Sequence, residues 1–276
     1  MCSLAVLMTC HNRVTKTIAC LERLFACDFP GFRPVVYLVD DGCTDGTGQI
    51  AKELYPEVNI IEGSGELYWS GGMRLAWEVA SREDYDFYLW LNDDTLLEQD
   101  AFRTIMSASN SFDNKAIVCC SVRSEATGLI TYGGKRSTAD GYIVPDGTCK
   151  PCDIINGNCV LIPKYVFKAL GNISNTFSHA IGDWDYGLRA KKLGIQAYTA
   201  PSFVGSCESN PRLPKWCRPE IPVVERVKSL YSPLAYAQPI PYFLFNFRHF
   251  GIALAVRQWI TMHIRVIAPR LWKASL

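Results

Sequence analysis

Asp86-Phe-Tyr-Leu-Trp-Leu-Asn-Asp-Asp-Thr-Leu-Leu-Glu98 is the stretch whose reading decides the fold. Its apolar run, Phe87 to Leu91, stops abruptly at Asn92, Asp93 and Asp94. Such a run fits a strand buried on both faces that delivers acids to its C-terminal end. A new helix is expected at once, with Thr95 as its N-cap. Adjacent carboxylates repel each other and lose hydration when buried, so a metal ion is their natural counter-charge. The competing reading is a polar loop that caps a helix, since Asp and Thr are common there.

The flanking sequence favours a shared site. Leu4–Thr9 is a short apolar run closed by His11-Asn12-Arg13, and helical spacing of Val14, Ile18, Leu21, Leu24 and Phe25 follows. Pro34–Val39 is a second strand, ending in Asp40-Asp41-Gly42-Cys43-Thr44-Asp45-Gly46 and leading to a helix over 49–54. Strands are expected at 58–61, 116–122, 156–162 and 195–200, and helices at 73–81, 101–106, 164–170 (with Pro163 at N1) and 181–194. This βαβ rhythm predicts an α/β fold with a mostly parallel sheet and ligands at the C-terminal strand ends. Residues 128–152 read as short β pieces or a flap, and 201–222 as a long irregular connection.

Composition narrows the class. The 276 residues are 49% hydrophobic and 20% charged, ordinary for a globular chain. Residues 1–205 hold 18 Lys and Arg against 24 Asp and Glu, a net of −6; residues 206–276 hold 10 against 3, a net of +7. The basic tail is aromatic and apolar, which argues against nucleic acid and for an anionic membrane surface. None of its apolar runs reaches the roughly 18 residues of a spanning helix. Residues 240–276 therefore read as an interfacial basic helix, with packing on the catalytic domain or on a second subunit, as a homodimer, as the alternative. Twelve cysteines, several in apolar runs, and no secretory signal point to a reducing cytoplasm, with the chain peripheral on the inner membrane face. Cys149-Lys-Pro-Cys152 has no second pair to complete four metal ligands.

Four segments occur in a telling order: Leu-Met-Thr-Cys-His-Asn-Arg (7–13), Val-Asp-Asp-Gly-Cys-Thr-Asp-Gly-Thr (39–47), Leu-Asn-Asp-Asp-Thr (91–95) and Gly-Asp-Trp-Asp-Tyr-Gly-Leu-Arg-Ala-Lys-Lys-Leu-Gly (182–194). On these the chain resembles family 2 glycosyltransferases of GT-A fold, in particular bacterial rhamnosyltransferases. The resemblance implies a catalytic domain over 1–205 and a C-terminal extension over 206–276. It also implies a metal-dependent inverting transfer from a UDP- or dTDP-sugar to a glycan or lipid-linked acceptor, in surface polysaccharide synthesis.

By the same resemblance, Asp94 holds Mg²⁺ or Mn²⁺ and Asp93 contacts the donor, while Asn92 stands where relatives carry a first acid. Asp41 reads the base, and Thr9, Arg13 and Arg74 line the nucleotide pocket. Asp183 is the general base, with Asp185 as the alternative because Gly182 replaces the usual Glu. Trp69 and Trp184 would stack on acceptor sugars. The late metal-binding histidine of many relatives is missing from Val204–Asn210, leaving Cys207, Glu208 or water. Two rivals remain: a sugar-1-phosphate nucleotidyltransferase, and a non-catalytic nucleotide-sugar or glycan-binding module.

Overall fold

Strand β1 (Cys2–Cys10) is apolar on both sides because both faces of the sheet are covered. Leu4, Val6 and Met8 point into one core, with Leu21, Leu24, Phe102 and Ile105. Ala5 and Leu7 point into the other, with Met73, Ala76, Trp77 and Tyr186. Alternation along a strand sends successive side chains to opposite layers, so a continuous apolar run is what a doubly covered sheet requires. The computed structural model describes residues 2–209 and 213–271.

The elements follow the βαβ rhythm. Helix α1 (Val14–Phe25), β2 (Phe32–Asp40), α2 (Thr47–Leu54), β3 (Asn59–Glu62), α3 (Tyr68–Ala80) and β4 (Phe87–Leu91) come first. Then come β5 (Leu96–Leu97), α4 (Ala101–Asn110), β6 (Ile117–Arg123), β7 (Ile130–Tyr132), β8 (Pro151–Cys152), β9 (Cys159–Pro163), α5 (Lys164–Leu170), α6 (Gly182–Lys192) and β10 (Ala197–Ser206). The sheet order is β3-β2-β1-β4-β9-β6-β10-β5. Strands β3, β2, β1 and β4 run parallel, whereas β9 is antiparallel to both neighbours. The C-terminal ends of the four parallel strands thus share one edge, as the sequence predicts, and the fold is mixed α/β with a mostly parallel central sheet.

Several expectations need correction. Thr95 is not an N-cap. Its N–H donates to the Asn92 carbonyl, Leu96–Leu97 pairs with Gly205–Ser206, and the next helix waits until Ala101 with Asp100 at its N-cap. Helix α3 starts at Tyr68, five residues before the expected Met73, because the distant carboxylate of Asp41 accepts its first amides. Strand β10 runs to Ser206, six residues into the expected irregular connection, drawn on by pairing with β6 and β5. Pro163 ends β9 in an extended conformation and is the N-cap of α5 rather than its first residue.

Two compact units are distinguished, residues 1–175 with 183–209, and residues 176–182 with 210–276. In the second, α7 (Val223–Tyr231), α8 (Pro239–Phe250) and α9 (Ile252–Ile267) gather Trp216, Leu230, Ala237, Met262 and Val266 into a small core. The tail is two helices, because Gly251, at φ 89°, breaks them apart. Among the described residues no helix is long and apolar enough to cross a membrane. Lys273 and the rest of 272–276, read above as part of the basic tail, lie outside the described residues.

Candidate active site

Strand β4 is completely buried and ends where its neighbours β1 and β9 also turn, so Asp93 and Asp94 emerge at the edge of the sheet. The start of α1 meets them. Arg13, Lys16 and Thr17 are spaced so that they fall on one side of the helix start. Arg13 Nη1 lies 3.3 Å from Asp93 Oδ1 and 3.0 Å from Asp94 Oδ2, and Lys16 Nζ is 3.5 Å from the same Asp94 oxygen. Thr17 Oγ1 donates to Asp93 Oδ2 at 3.2 Å. Burial pushes the Asp93 carboxyl up to about 6, with Asp94 adding to the rise and Arg13 opposing it. The Arg13 side chain is 49% exposed, so water screens its pull and burial wins.

The opposite wall belongs to β1, β2 and α3. Thr9 sits at the end of β1 against Gly72, where any Cβ would collide with its hydroxyl. Asp41 is buried and its carboxylate is committed: Oδ1 accepts the Gly65 amide at 2.7 Å, and Oδ2 accepts those of Leu67 and Tyr68 at 3.0 and 2.9 Å. Its charge holds the 63–68 loop and the start of α3 beside β1. Arg74 lies one turn along α3, half-buried, with Nη1 3.4 Å from the Ser174 carbonyl.

The third wall comes from α6 and the turn before β9. Asp183 lies in the first turn of α6, where Oδ2 accepts the Gly157 amide and Oδ1 accepts that of Trp184, both at 2.9 Å. Burial pushes its carboxyl up to about 6, against the pull of those amides. Asp185 is fully buried and paired with Arg189 Nε at 2.9 Å. Trp69 donates to Asn92 Oδ1 at 2.6 Å and lies against Gly157, where a Cβ would overlap its ring. Trp184 is buried, with Lys135 Nζ 5.9 Å from its ring.

Several participants escaped sequence reasoning. Asn158 accepts the Asn92 amide at its carbonyl and donates its side-chain N–H to Thr95 Oγ1 and Cys207 Sγ. Cys207 Sγ lies 3.6 Å from Asp94 Oδ1, whereas Glu208 turns aside to accept the Glu125 amide at 2.8 Å. Asn158 thus follows directly after Gly157, the residue bound to Asp183, and itself touches Cys207, which touches Asp94. Asn92, where an acid was expected, is the acceptor for the indole. The position of Lys16 and Thr17 one turn beyond Arg13 was the available signal for α1. Nothing local in the sequence marked Asn158.

Comparison with known proteins agrees with this geometry. Residues 5–171 match the family described as Glycosyl transferase family 2. No curated protein sequence matches. Among solved structures, the chain is similar to the mannosyltransferase PcManGT from Pyrobaculum calidifontis, in complex with GDP-Man and Mn²⁺. The TM-score is 0.58 at 16% identity over 97% of this chain and 86% of that one. It is also similar to GalNAc-T7 with UDP, GalNAc and Mn²⁺, with TM-score 0.58 and 11% identity over 76% of this chain and 44% of that one. At such identities the likeness establishes the GT-A fold.

Proposed function

The chain belongs to glycosyl transferase family 2, and from that premise we propose a metal-dependent inverting transfer of a sugar from a UDP- or dTDP-linked donor to a glycan or lipid-linked acceptor. The observation that carries the reading is the chain of contacts from Asp183 through Gly157, Asn158 and Cys207 to Asp94, at the edge of a parallel sheet. A sugar-1-phosphate nucleotidyltransferase loses its ground with the family match, and burial of Asp93 and Asp183, which raises both carboxyls to about 6, favours a catalytic site over a non-catalytic module.

Asp94 would hold the divalent cation, Mg²⁺ or Mn²⁺. The donor set fits: Oδ2 already draws two cationic side chains, and Oδ1 faces the thiol of Cys207, which takes the place of the expected histidine. Bound there, the cation would offset negative charge growing on the diphosphate leaving group. Arg13 and Lys16, released from Asp94, become counter-charges for that diphosphate. Asp93 contacts the donor sugar or ribose, Thr9 and Arg74 line the nucleotide pocket, and Asp41, which also holds the 63–68 loop, reads the base. Asp183 takes the proton of the acceptor hydroxyl, on the face away from the leaving group. Trp69 and Trp184 border the acceptor side.

Residues 1–205 carry the chemistry and 206–276 attach the enzyme to the cytoplasmic face of an anionic membrane, as suits a lipid-linked acceptor in surface polysaccharide synthesis, rhamnosyl transfer being one candidate. Along α8 and α9, Leu244, Phe247, Ile252, Trp259, Ile260 and Ile267 are exposed, beside the exposed Arg248 and Arg257. Apolar and basic groups together are what an interfacial helix needs.

Calorimetry with UDP and dTDP tests the core of the reading. At least tenfold tighter binding is expected with Mn²⁺ than without, and Asp94→Asn should abolish the difference; equal affinities in the wild type would sink it. Release of the chain from anionic vesicles on deletion of 240–276 tests the membrane assignment, and unchanged binding would remove it.

A further inference from the structure

A second cluster of metal-ligating side chains lies outside the residues assigned to catalysis. Cys10 ends β1, Asp40 ends β2, and Cys43 lies in the turn before α2. One ligand atom from each lies within 4.8 Å of the other two. The two sulfurs are 3.8 Å apart. Two thiolates bound to one tetrahedral Zn²⁺, with Zn–S bonds of about 2.3 Å, stand roughly 3.8 Å apart, whereas a disulfide needs about 2.05 Å. The spacing therefore accommodates an ion between the sulfurs without moving either strand.

Three independent features point the same way. Asp40 makes no ion pair among the described residues, although Asp41 and Asp45 lie in the same turn of sequence. Gly48 leaves the space its carboxylate fills, since a Cβ there would collide with Oδ2. The turn is also built in advance: Asn12, at φ 51°, donates its amide to Cys43 Sγ at 3.2 Å and accepts the Thr44 amide at Oδ1, while Asp40 Oδ1 accepts the Cys43 amide at 2.8 Å. A sulfur that accepts an N–H is oriented as a thiolate ligand would be.

We propose that Cys10, Asp40 and Cys43 form a binding site for a thiophilic divalent cation, Zn²⁺ by its ligand chemistry, with water in the fourth position. Two sulfurs and one carboxylate select Zn²⁺ over Mg²⁺. Binding displaces one proton from each thiol to solvent and forms two metal–sulfur bonds and one metal–carboxylate bond in place of waters of the hydrated ion, one of which stays in the fourth position, with no change of oxidation state. The ion ties the end of β1 to the β2–α2 turn, next to Thr9 and Asp41, and so rigidifies the nucleotide side of the cleft. This site does not depend on the cation at Asp94.

The full chain, reduced and stripped of metal, is titrated with Co²⁺ as a spectroscopic probe for Zn²⁺. One equivalent should produce a thiolate-to-cobalt charge-transfer band that Zn²⁺ then bleaches, with Zn²⁺ raising the unfolding temperature. Cys43→Ser and Asp40→Ala should each weaken binding at least tenfold, whereas Cys207→Ser and Asp94→Asn should keep the band. Cys43 and Asp40 are partly exposed, so both variants should fold, checked by circular dichroism. A band that survives in Cys43→Ser, or is lost in Cys207→Ser, would assign the metal to other thiols and overturn the site. The site is equally overturned if no band forms and mild oxidant instead links Cys10 to Cys43, which marks a redox pair. Loss of Mn²⁺-dependent nucleotide binding with the band intact would count against the proposed catalysis alone.

Discussion

Asp183→Asn probes the chemistry most directly, because the carboxyl is raised from an ordinary value of 3.8 to about 6. A rise of that size corresponds to roughly 3 kcal/mol of extra proton affinity, the gain in base strength that burial supplies. The sign is set by the role. A general base works ionised, so activity is full above pH 7 and is lost as pH falls through about 6. With Mn²⁺ and donor saturating, kcat/KM for the acceptor should fall about tenfold for each pH unit below that point. Asp183→Asn, nearly isosteric, should lose about 10²- to 10⁴-fold in turnover while donor binding by calorimetry stays within threefold. Asp93 is raised to a similar value, so the acid limb must survive in Asp93→Asn to belong to Asp183. A rate that stays level from pH 7.5 to 5, or an Asp183→Asn enzyme within tenfold of wild type, refutes the assignment.

Other consequences can be checked independently. Removing the buried Asp183 charge should also change the pH dependence of stability: a folded value of about 6 above an unfolded one near 3.9 means the native state holds an extra proton between them. Its contribution to stability is then lost as pH rises from about 4 to 6, so Asp183→Asn should gain on wild type by up to ~3 kcal/mol across that window in urea titrations. Arg13→Ala frees Asp94 from a competing cation and should tighten Mn²⁺ about tenfold while weakening UDP; unchanged Mn²⁺ affinity would remove Arg13 from the site. Gly72→Ala places a Cβ 2.7 Å from the Thr9 Cβ and should cost about 1–3 kcal/mol, read as a lowered melting temperature. In Asp41→Asn an NH₂ would face amides of the 63–68 loop, costing about 1–3 kcal/mol and weakening nucleotide binding; intact affinity would show that the loop does not shape the pocket.

Much was legible in the chain itself. Apolar runs closed by polar clusters are a local property, so β1, β2 and β4, the edge they share and the acids at the end of β4 follow from residue order and strand period, whereas the roles of Asp93, Asp94 and Asp183 came from the family resemblance. Element type followed for the same reason, down to α1 at 14–25 against an expected 14–26. What needed the tertiary structure was every choice between partners far apart in sequence. Nothing near Asp41 in the sequence shows that its carboxylate also accepts the amides of Gly65, Leu67 and Tyr68. Asp183 and Asp185 are equivalent acids two residues apart, yet helical rotation turns one toward Gly157 and the other onto Arg189. Thr95 had the chemistry of a cap, but pairing of Leu96–Leu97 with β10, 108 or more residues later, made the segment a strand. Cys10, Asp40 and Cys43 carry no recognisable spacing, because α1 and most of β2 lie between the first and the others, and only parallel pairing of β1 with β2 brings them together. A sequence declares which groups are available and with what period. Which carboxylate is spent on backbone amides, which on an arginine and which is left for chemistry depends on hydrogen bonds between residues far apart in the chain, and those exist only once the strands are in register.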